Sequence, residues 1–244
     1  MPLAGQRIVL IGGSSGIGLA TAKEAAARGA SVVIAGRSAE RLESARREIG
    51  ARAETHSLDA TCEASVEAFF AAVGPHDHMA VLVPTVPDAE VRKSVRGFAD
   101  TPQETMEIIM RHKFWCQVYC ARHARRHLRP GGSIVFITGQ AHRKSLPNYP
   151  LVAAADSAVE ALARELAREF APLRVNVVAP GLIETPLIRD LPTGHRTALE
   201  VLVGPQPVPR MGTVEEIAEA ILWIMGNGFA TGAVLEVDGG YKLT

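Results

Sequence analysis

The chain has 244 residues, 47% hydrophobic and 21% charged, with 26 Lys and Arg against 26 Asp and Glu. That length suits a single α/β domain over residues 1–244 with a substantial core, and zero formal charge gives no long-range pull toward nucleic acid or an anionic membrane surface. No apolar run reaches the roughly 20 residues a membrane helix needs, and Met1-Pro2-Leu3-Ala4-Gly5-Gln6-Arg7 lacks a signal-peptide layout, so a cytoplasmic protein is expected.

Strand-like apolar runs alternate with helix-period segments almost throughout, which predicts a doubly wound parallel sheet of about seven strands. Arg7–Gly12 and Ser31–Ala35 read as strands around a helix from Ile17 to Arg28. Ser38 caps a helix ending at Gly50, and Ala53–Ser57 and Met79–Val83 follow as strands. One long helix is expected from Pro102 to Leu128, stopped by Pro130-Gly131-Gly132. Ser133–Thr138 is a strand, Leu151–Phe170 a helix, Arg174–Ala179 a strand, Glu215–Met225 a helix and Ala233–Val237 the last strand. Between them Glu184–Met211, with five prolines, reads as a long surface excursion at a strand's carboxyl end, where a lid is expected.

Cys62, Cys116 and Cys120 form an odd set without CxxC spacing, which fits a reducing compartment. Cys116 and Cys120 share a helix face and read as small core side chains, and no metal site is expected. The basic run Arg122–Arg129 has no interleaved aromatics, so it reads as a solvated helix end rather than an RNA surface.

The turn Ile11-Gly12-Gly13-Ser14-Ser15-Gly16-Ile17-Gly18 lies between a strand and a helix, where backbone N–H groups and the helix N-terminus can receive a phosphate. Gly12, Gly16 and Gly18 match the GxxxGxG turn of the short-chain dehydrogenase/reductase family. Asn176, Pro180, Gly181 and Thr185 resemble its later cofactor motif, and Asp238-Gly239-Gly240 its C-terminal strand ending. The resemblance covers essentially the whole chain. It implies a Rossmann-type fold, a nicotinamide dinucleotide held by Gly12, Ser14, Ser15, Gly16, Ile17, Gly18, Pro180, Gly181, Ile183 and Thr185, and a homodimer or homotetramer. That assembly would pair the long helices near 102–128 and 151–170, with Val118, Leu162 and Leu166 as apolar candidates.

Arg37 follows the second strand where no acid stands, and a guanidinium there can grip a 2′-phosphate, which favours NADP(H) over NAD(H). Ser38 and Ser14 add hydroxyls. Arg37 as a solvated charge is the alternative. Asp59 is open between an adenine contact, implied by the resemblance, and a helix N-cap.

The catalytic residues depart from the family. Its members use a Tyr with a Lys four residues later, a Ser about thirteen residues before the Tyr, and an Asn on the preceding helix. These positions are here Val152, Asp156, Gly139 and Lys113. Val152 cannot donate a proton, Gly139 has no hydroxyl, and Asp156 inverts a charge. The family's NNAG turn is also replaced, at Val81–Pro84 or Pro84–Pro87. Lys113 and Asp156 are expected to face one another as a charge-swapped pair. Thr138, His142 and Tyr149 are further candidate catalytic groups, each with a bland alternative: a strand residue, a basic loop and local packing.

Three functions stay open at this point. One is an NADP(H)-dependent oxidoreductase acting on a small carbonyl or alcohol with a non-standard proton donor. The others are an inactive nucleotide-binding partner or regulator, and a lyase or isomerase that reuses the pocket.

Overall fold

The computed structural model describes residues 3–83, 98–145, 149–189 and 193–244. The Pro84–Pro87 alternative for the replaced turn lies outside these residues, as do Pro147 and Pro192.

Seven parallel strands form one sheet: β1 Arg7–Ile11, β2 Ser31–Gly36, β3 Ala53–Ser57, β4 His76–Val81, β5 Leu128–Ile137, β6 Arg174–Pro180 and β7 Val234–Val237. Their order is β3-β2-β1-β4-β5-β6-β7. The chain therefore winds outward from β1 to β3, returns to place β4 on the other side of β1, and winds out again. The reversal opens a crevice at the carboxyl ends of β1 and β4, where such sheets bind ligands.

Both faces of the sheet's interior are buried, so β1 and β2 read as continuous apolar runs rather than alternating ones. In β1, Val9 and Ile11 join one core cluster, and Ile8 and Leu10 the other. The first cluster is closed by α3 Glu63–Val73, α5 Cys116–Ala124 and α6 Pro150–Glu169. The second is closed by α1 Gly16–Ala27, α2 Ala39–Ile49 and α9 Val214–Gly226. Each buried Ile, Leu or Val contributes about 1.5–3 kcal/mol from apolar burial. A charge at Leu10, fully buried, would break the second core.

Three expectations need correction, and one helix went unforeseen. The helix α3 was not delimited by the sequence; its apolar Val66, Phe69, Phe70 and Val73 fall at helical spacing and are buried. The strand β5 begins at Leu128, not Ser133, because Leu128 pairs with His76 before a register shift to His78 and Ser133. Pro130-Gly131-Gly132 thus sits in an irregular strand rather than ending a helix. Asp59 is not the N-cap of α3, a place taken by Cys62; its carboxylate accepts from Thr61 N and Oγ1 at 3.0 and 2.7 Å.

The last correction concerns the long helix. It is α4 Gln103–Met110, then a π-helical turn Arg111–Trp115, then α5. The buried residues Thr105, Ile109, Lys113, Gln117 and Ala121 recur every four positions. Such a stripe drifts by about 40° per repeat around a 3.6-residue helix, and one wider turn offsets the drift. Carbonyls in that turn are satisfied by side chains: Cys116 Sγ donates to His112 O at 2.8 Å, and Gln117 Nε2 to Lys113 O at 2.9 Å.

The excursion after β6 carries α7 Pro186–Arg189 and α8 Thr193–Val203. Its base is pinned by a parallel bridge from Ile183 to Gly212 and by Glu184 N donating to Gly212 O at 2.8 Å. At the amino end of the central strand β4, His76 and His78 are buried. His78 bonds Ser133 Oγ at 2.8 Å and Gln6 Oε1 at 2.9 Å. Burial holds both imidazoles down, to about 4.

Candidate functional site

At the carboxyl edge of β1 the chain turns through Gly12-Gly13-Ser14-Ser15 into α1. Gly12 has φ of +92°, and a Cβ on it would stand 2.7 Å from Leu82 O. A Cβ on Gly18 would stand 2.0 Å from Gly12 O, so the helix can pack onto the turn only without a side chain there. Ser15 caps α1 with no side-chain hydrogen bond to the helix, which leaves the first-turn N–H groups directed at the cleft.

The cleft holds about 910 Å³ and runs from this turn past Gly36 and Arg37 to Asp59, Leu82 and Ile137. Ser14, Ser15, Gly16, Ile17, Ser38 and Thr185 also line it. Arg37 is exposed beyond β2, and Arg41 lines the same wall. Ser38 has a second duty, accepting from Arg41 N at 3.3 Å as the N-cap of α2. Burial alone would raise the Asp59 carboxyl, but hydrogen bonds from Thr61 and the nearby Arg37 and His112 hold it below its ordinary value. An uncapped helix N-terminus, a glycine cradle and a guanidinium at the far wall fit a phosphorylated dinucleotide.

Not every cofactor candidate lines this cleft. Gly181 and Ile183 border a separate hollow of about 320 Å³ with Val208, Arg210 and Asp238. Pro180 ends β6, and a Cβ on Gly181 would meet Asp238 Cα at 2.8 Å, so that glycine permits the close approach of β6 and β7. Asn176 is likewise internal: Nδ2 donates to Ala230 O at 2.8 Å and Oδ1 accepts from Ala233 N at 3.1 Å.

Lys113 and Asp156 meet. Lys113, in the π turn, places Nζ 2.9 Å from Asp156 Oδ1 on α6, with side-chain exposures of 10% and 2%. Asp156 Oδ2 is buried and has no hydrogen-bond partner among the described residues. Gly139, just past β5, lies against it: an added Cβ would be 3.3 Å from Oδ2. His112, adjacent to Lys113, turns instead to the cleft beside the glycine turn.

The other candidates belong elsewhere. Thr138 Oγ1 donates to Glu160 Oε1 at 3.3 Å, and His142 Nε2 lies 3.1 Å from the same carboxylate. Glu160, one helical turn beyond Asp156, also takes Arg143 Nη2 at 2.7 Å; Arg143 reaches on to Glu236, which pairs with Lys242. Thr138 and His142 are thus parts of a Glu160-centred network that ties the loop after β5 to the C-terminus. Lys144 Nζ extends it, donating to Thr244 Oγ1 at 2.6 Å. Tyr149 caps the start of α6 and, with Val152, borders a small hollow shared with Phe98, Thr101 and Ile109. Sequence reasoning missed Arg41, Thr61 and Glu160, and read His112 only as pointing away from its neighbour Lys113. Only Arg41 carried a signal, one helical turn from Arg37 on the same helix start.

A family model described as enoyl-(acyl carrier protein) reductase matches residues 12–242. The chain is 34% identical to cis-4-hydroxycyclohexanecarboxylate dehydrogenase of Sinomonas cyclohexanicum, covering 96% of this chain and 95% of that one. It is 29% identical to L-xylulose reductase of Mus musculus, over 99% and 98% of the two chains. Among solved structures, a small-chain dehydrogenase in complex with NADPH superposes with a TM-score of 0.79 at 30% identity, covering 98% of this chain and 99% of that chain.

Proposed function

The chain belongs to the short-chain dehydrogenase/reductase family of oxidoreductases, and from that premise we propose that it is an NADP(H)-dependent oxidoreductase of a small carbonyl compound or alcohol. In this reading the Lys113–Asp156 pair stands in for the family's proton-transferring groups. The observation that carries it is the buried ion pair itself, an ammonium 2.9 Å from a carboxylate whose second oxygen is buried without a hydrogen-bond partner among the described residues. Burial of two charges is costly unless they serve packing or chemistry, and a charged pair in a low-dielectric site acts strongly on a nearby developing charge.

The dinucleotide, when bound, supplies hydride-transfer chemistry. The chain's own residues divide the remaining work. The turn from Gly12 to Gly18 receives the pyrophosphate through backbone N–H groups, and Arg37, with Arg41 on the same wall, receives the 2′-phosphate. The family's NADPH-complexed relative supports the same preference. Lys113 presents a proton-bearing group to the substrate oxygen, and Asp156 fixes it in place. The two named relatives are a dehydrogenase of a cyclic hydroxy-carboxylate and a reductase of L-xylulose, which supports a small hydroxyl or carbonyl substrate.

Calorimetry with NADPH and NADH, followed by nicotinamide absorbance against a panel of small ketones and alcohols, tests this reading. Submicromolar to micromolar NADPH affinity and turnover of one panel member are expected; no affinity for either nucleotide would overturn it. A second reading, a nucleotide-binding protein without turnover, is favoured by the absent hydroxyls at Val152 and Gly139. Tight NADPH binding with no turnover across the panel would select it. A homodimer or homotetramer is also proposed, assembled through the groove between α5 and α6 where Val118, Leu162 and Leu166 line a hollow of about 300 Å³.

A further inference from the structure

Ile137 is the last residue of β5 and part of the cleft wall, yet the β4–β5 ladder stops one pair short of it, at Val81 and Phe136. Thr138 N donates to Val178 O on β6 at 3.1 Å, so the peptide groups of Ile137 face the side that β4 has left. Gln117 fills that side. It is 1% exposed; its Nε2 donates to Ile137 O at 3.1 Å and its Oε1 accepts from Ile137 N at 3.3 Å. The same Nε2 donates to Lys113 O, a carbonyl of the π turn, at 2.9 Å. On either side of Lys113, His112 in that turn and Cys116 at the start of α5 line the same cleft as Ile137.

The two halves of a dinucleotide would fall on different strands. Arg37 stands beyond β2, the glycine turn follows β1, Leu82 follows β4 and Ile137 ends β5, in that order across the sheet. With the 2′-phosphate at Arg37 and the pyrophosphate at the turn, the nicotinamide half extends over the ends of β4 and β5. Ile137 is its wall on that side, and Gln117 stands behind the wall.

We infer that Gln117 is a positioning residue for the nicotinamide half of the cofactor, holding the end of β5 and the π turn at a fixed separation without touching the ligand. The inference rests on the proposed dinucleotide-binding reading and adds a residue which that reading does not use. An apolar side chain at 117 would strip three buried backbone groups of their partners: Ile137 N–H, Ile137 C=O and Lys113 C=O. Both segments carrying those groups are cleft walls, so the disturbance is delivered to the cleft. The wall at Arg37 and Arg41 is built on β2 and α2, which Gln117 does not bond, and it should stay as it is.

The test compares NADPH with adenosine 2′,5′-bisphosphate, which carries the adenosine half and its phosphates alone. Both are titrated by calorimetry into the full-length protein well below its melting temperature, with melting curves run without ligand. The unaltered protein is expected to bind both. Gln117→Met, which keeps the volume and removes all three bonds, should lower the Tm and weaken NADPH by about tenfold while the bisphosphate stays within about twofold. Gln117→Asn keeps a buried amide but is one methylene too short to span Lys113 O and both groups of Ile137. It should show the same split with a smaller fall in Tm, and it decides the matter if the methionine variant does not fold. NADPH affinity unchanged in the variants overturns the assignment, because Gln117 would then serve stability alone. Equal weakening of both ligands overturns it as well, since the loss would not be confined to the nicotinamide half. Absence of NADPH binding by the unaltered protein strikes instead at the proposed function.

Discussion

Replacing Lys113 by methionine isolates what the ion pair does for the fold. Methionine keeps most of the stem volume and removes the ammonium. The stranded group is Asp156, whose side chain is 2% exposed and whose other oxygen is already unpaired, so it has no route to water. Breaking a buried pair from one side costs about 3–5 kcal/mol. For a chain of this length that corresponds to a fall in Tm of about 6–20 °C. The reverse change, Asp156→Leu, should cost less, because Lys113 is 10% exposed and its flexible stem can carry the ammonium toward the cleft. The double variant Lys113→Met/Asp156→Leu removes both charges and should return to within about 1 kcal/mol of the parent. Urea unfolding without nucleotide measures all four corners of the cycle, since bound ligand would add its own stability. Additive single costs, with the double variant worst of all, would refute the claim that the two charges sustain one another.

Three further outcomes follow from other parts of the molecule. Arg37→Ala should weaken NADPH by about 10- to 100-fold, as loss of charge-assisted bonds to a phosphate predicts, and leave NADH within about twofold; calorimetry with both nucleotides reads the difference. Since burial holds His76 and His78 near 4, below the unfolded value of about 6.5, the unfolded chain takes up protons first on acidification. Stability present above pH 6.5 should then be lost as pH falls toward 4, by up to about 1.4 kcal/mol per pH unit for each histidine, and His78→Gln should flatten that slope in denaturation curves. Leu162→Glu, placed in the α5–α6 groove, should shift the protein to monomer by light scattering, and an unchanged assembly would remove that groove as the interface.

The sheet was legible in the chain because strands buried on both faces leave long apolar runs, as Ile8–Ile11 and Val175–Ala179 do. The glycine turn after β1 was legible because close backbone approach admits only glycine at Gly12 and Gly18. The resemblance to the family, which puts Lys113 and Asp156 at two positions of one site, was enough to set them opposite each other. What stayed hidden depends on long-range partners. Glu160 looks like any helix-surface acid until Arg143 and His142 fold back onto it. The early start of β5 is set by His76 across the ladder, not by its own Pro-Gly-Gly, which locally signals a stop. The π turn leaves no local composition cue, only a four-residue rhythm of burial that becomes visible once Ile109, Lys113 and Gln117 share a face.

Gln117 joins two otherwise separate pieces. Its amide nitrogen reaches the carbonyls of Lys113 and Ile137, at 2.9 and 3.1 Å, and its oxygen takes the Ile137 N–H at 3.3 Å. One side chain thus imitates a neighbouring strand along the last residue of β5, two positions before Gly139. Helix and strand end are clasped together, so the helix cannot drift from Ile137 without losing both bonds to it at once. The ion pair therefore sits on a frame that has little conformational freedom left to lose.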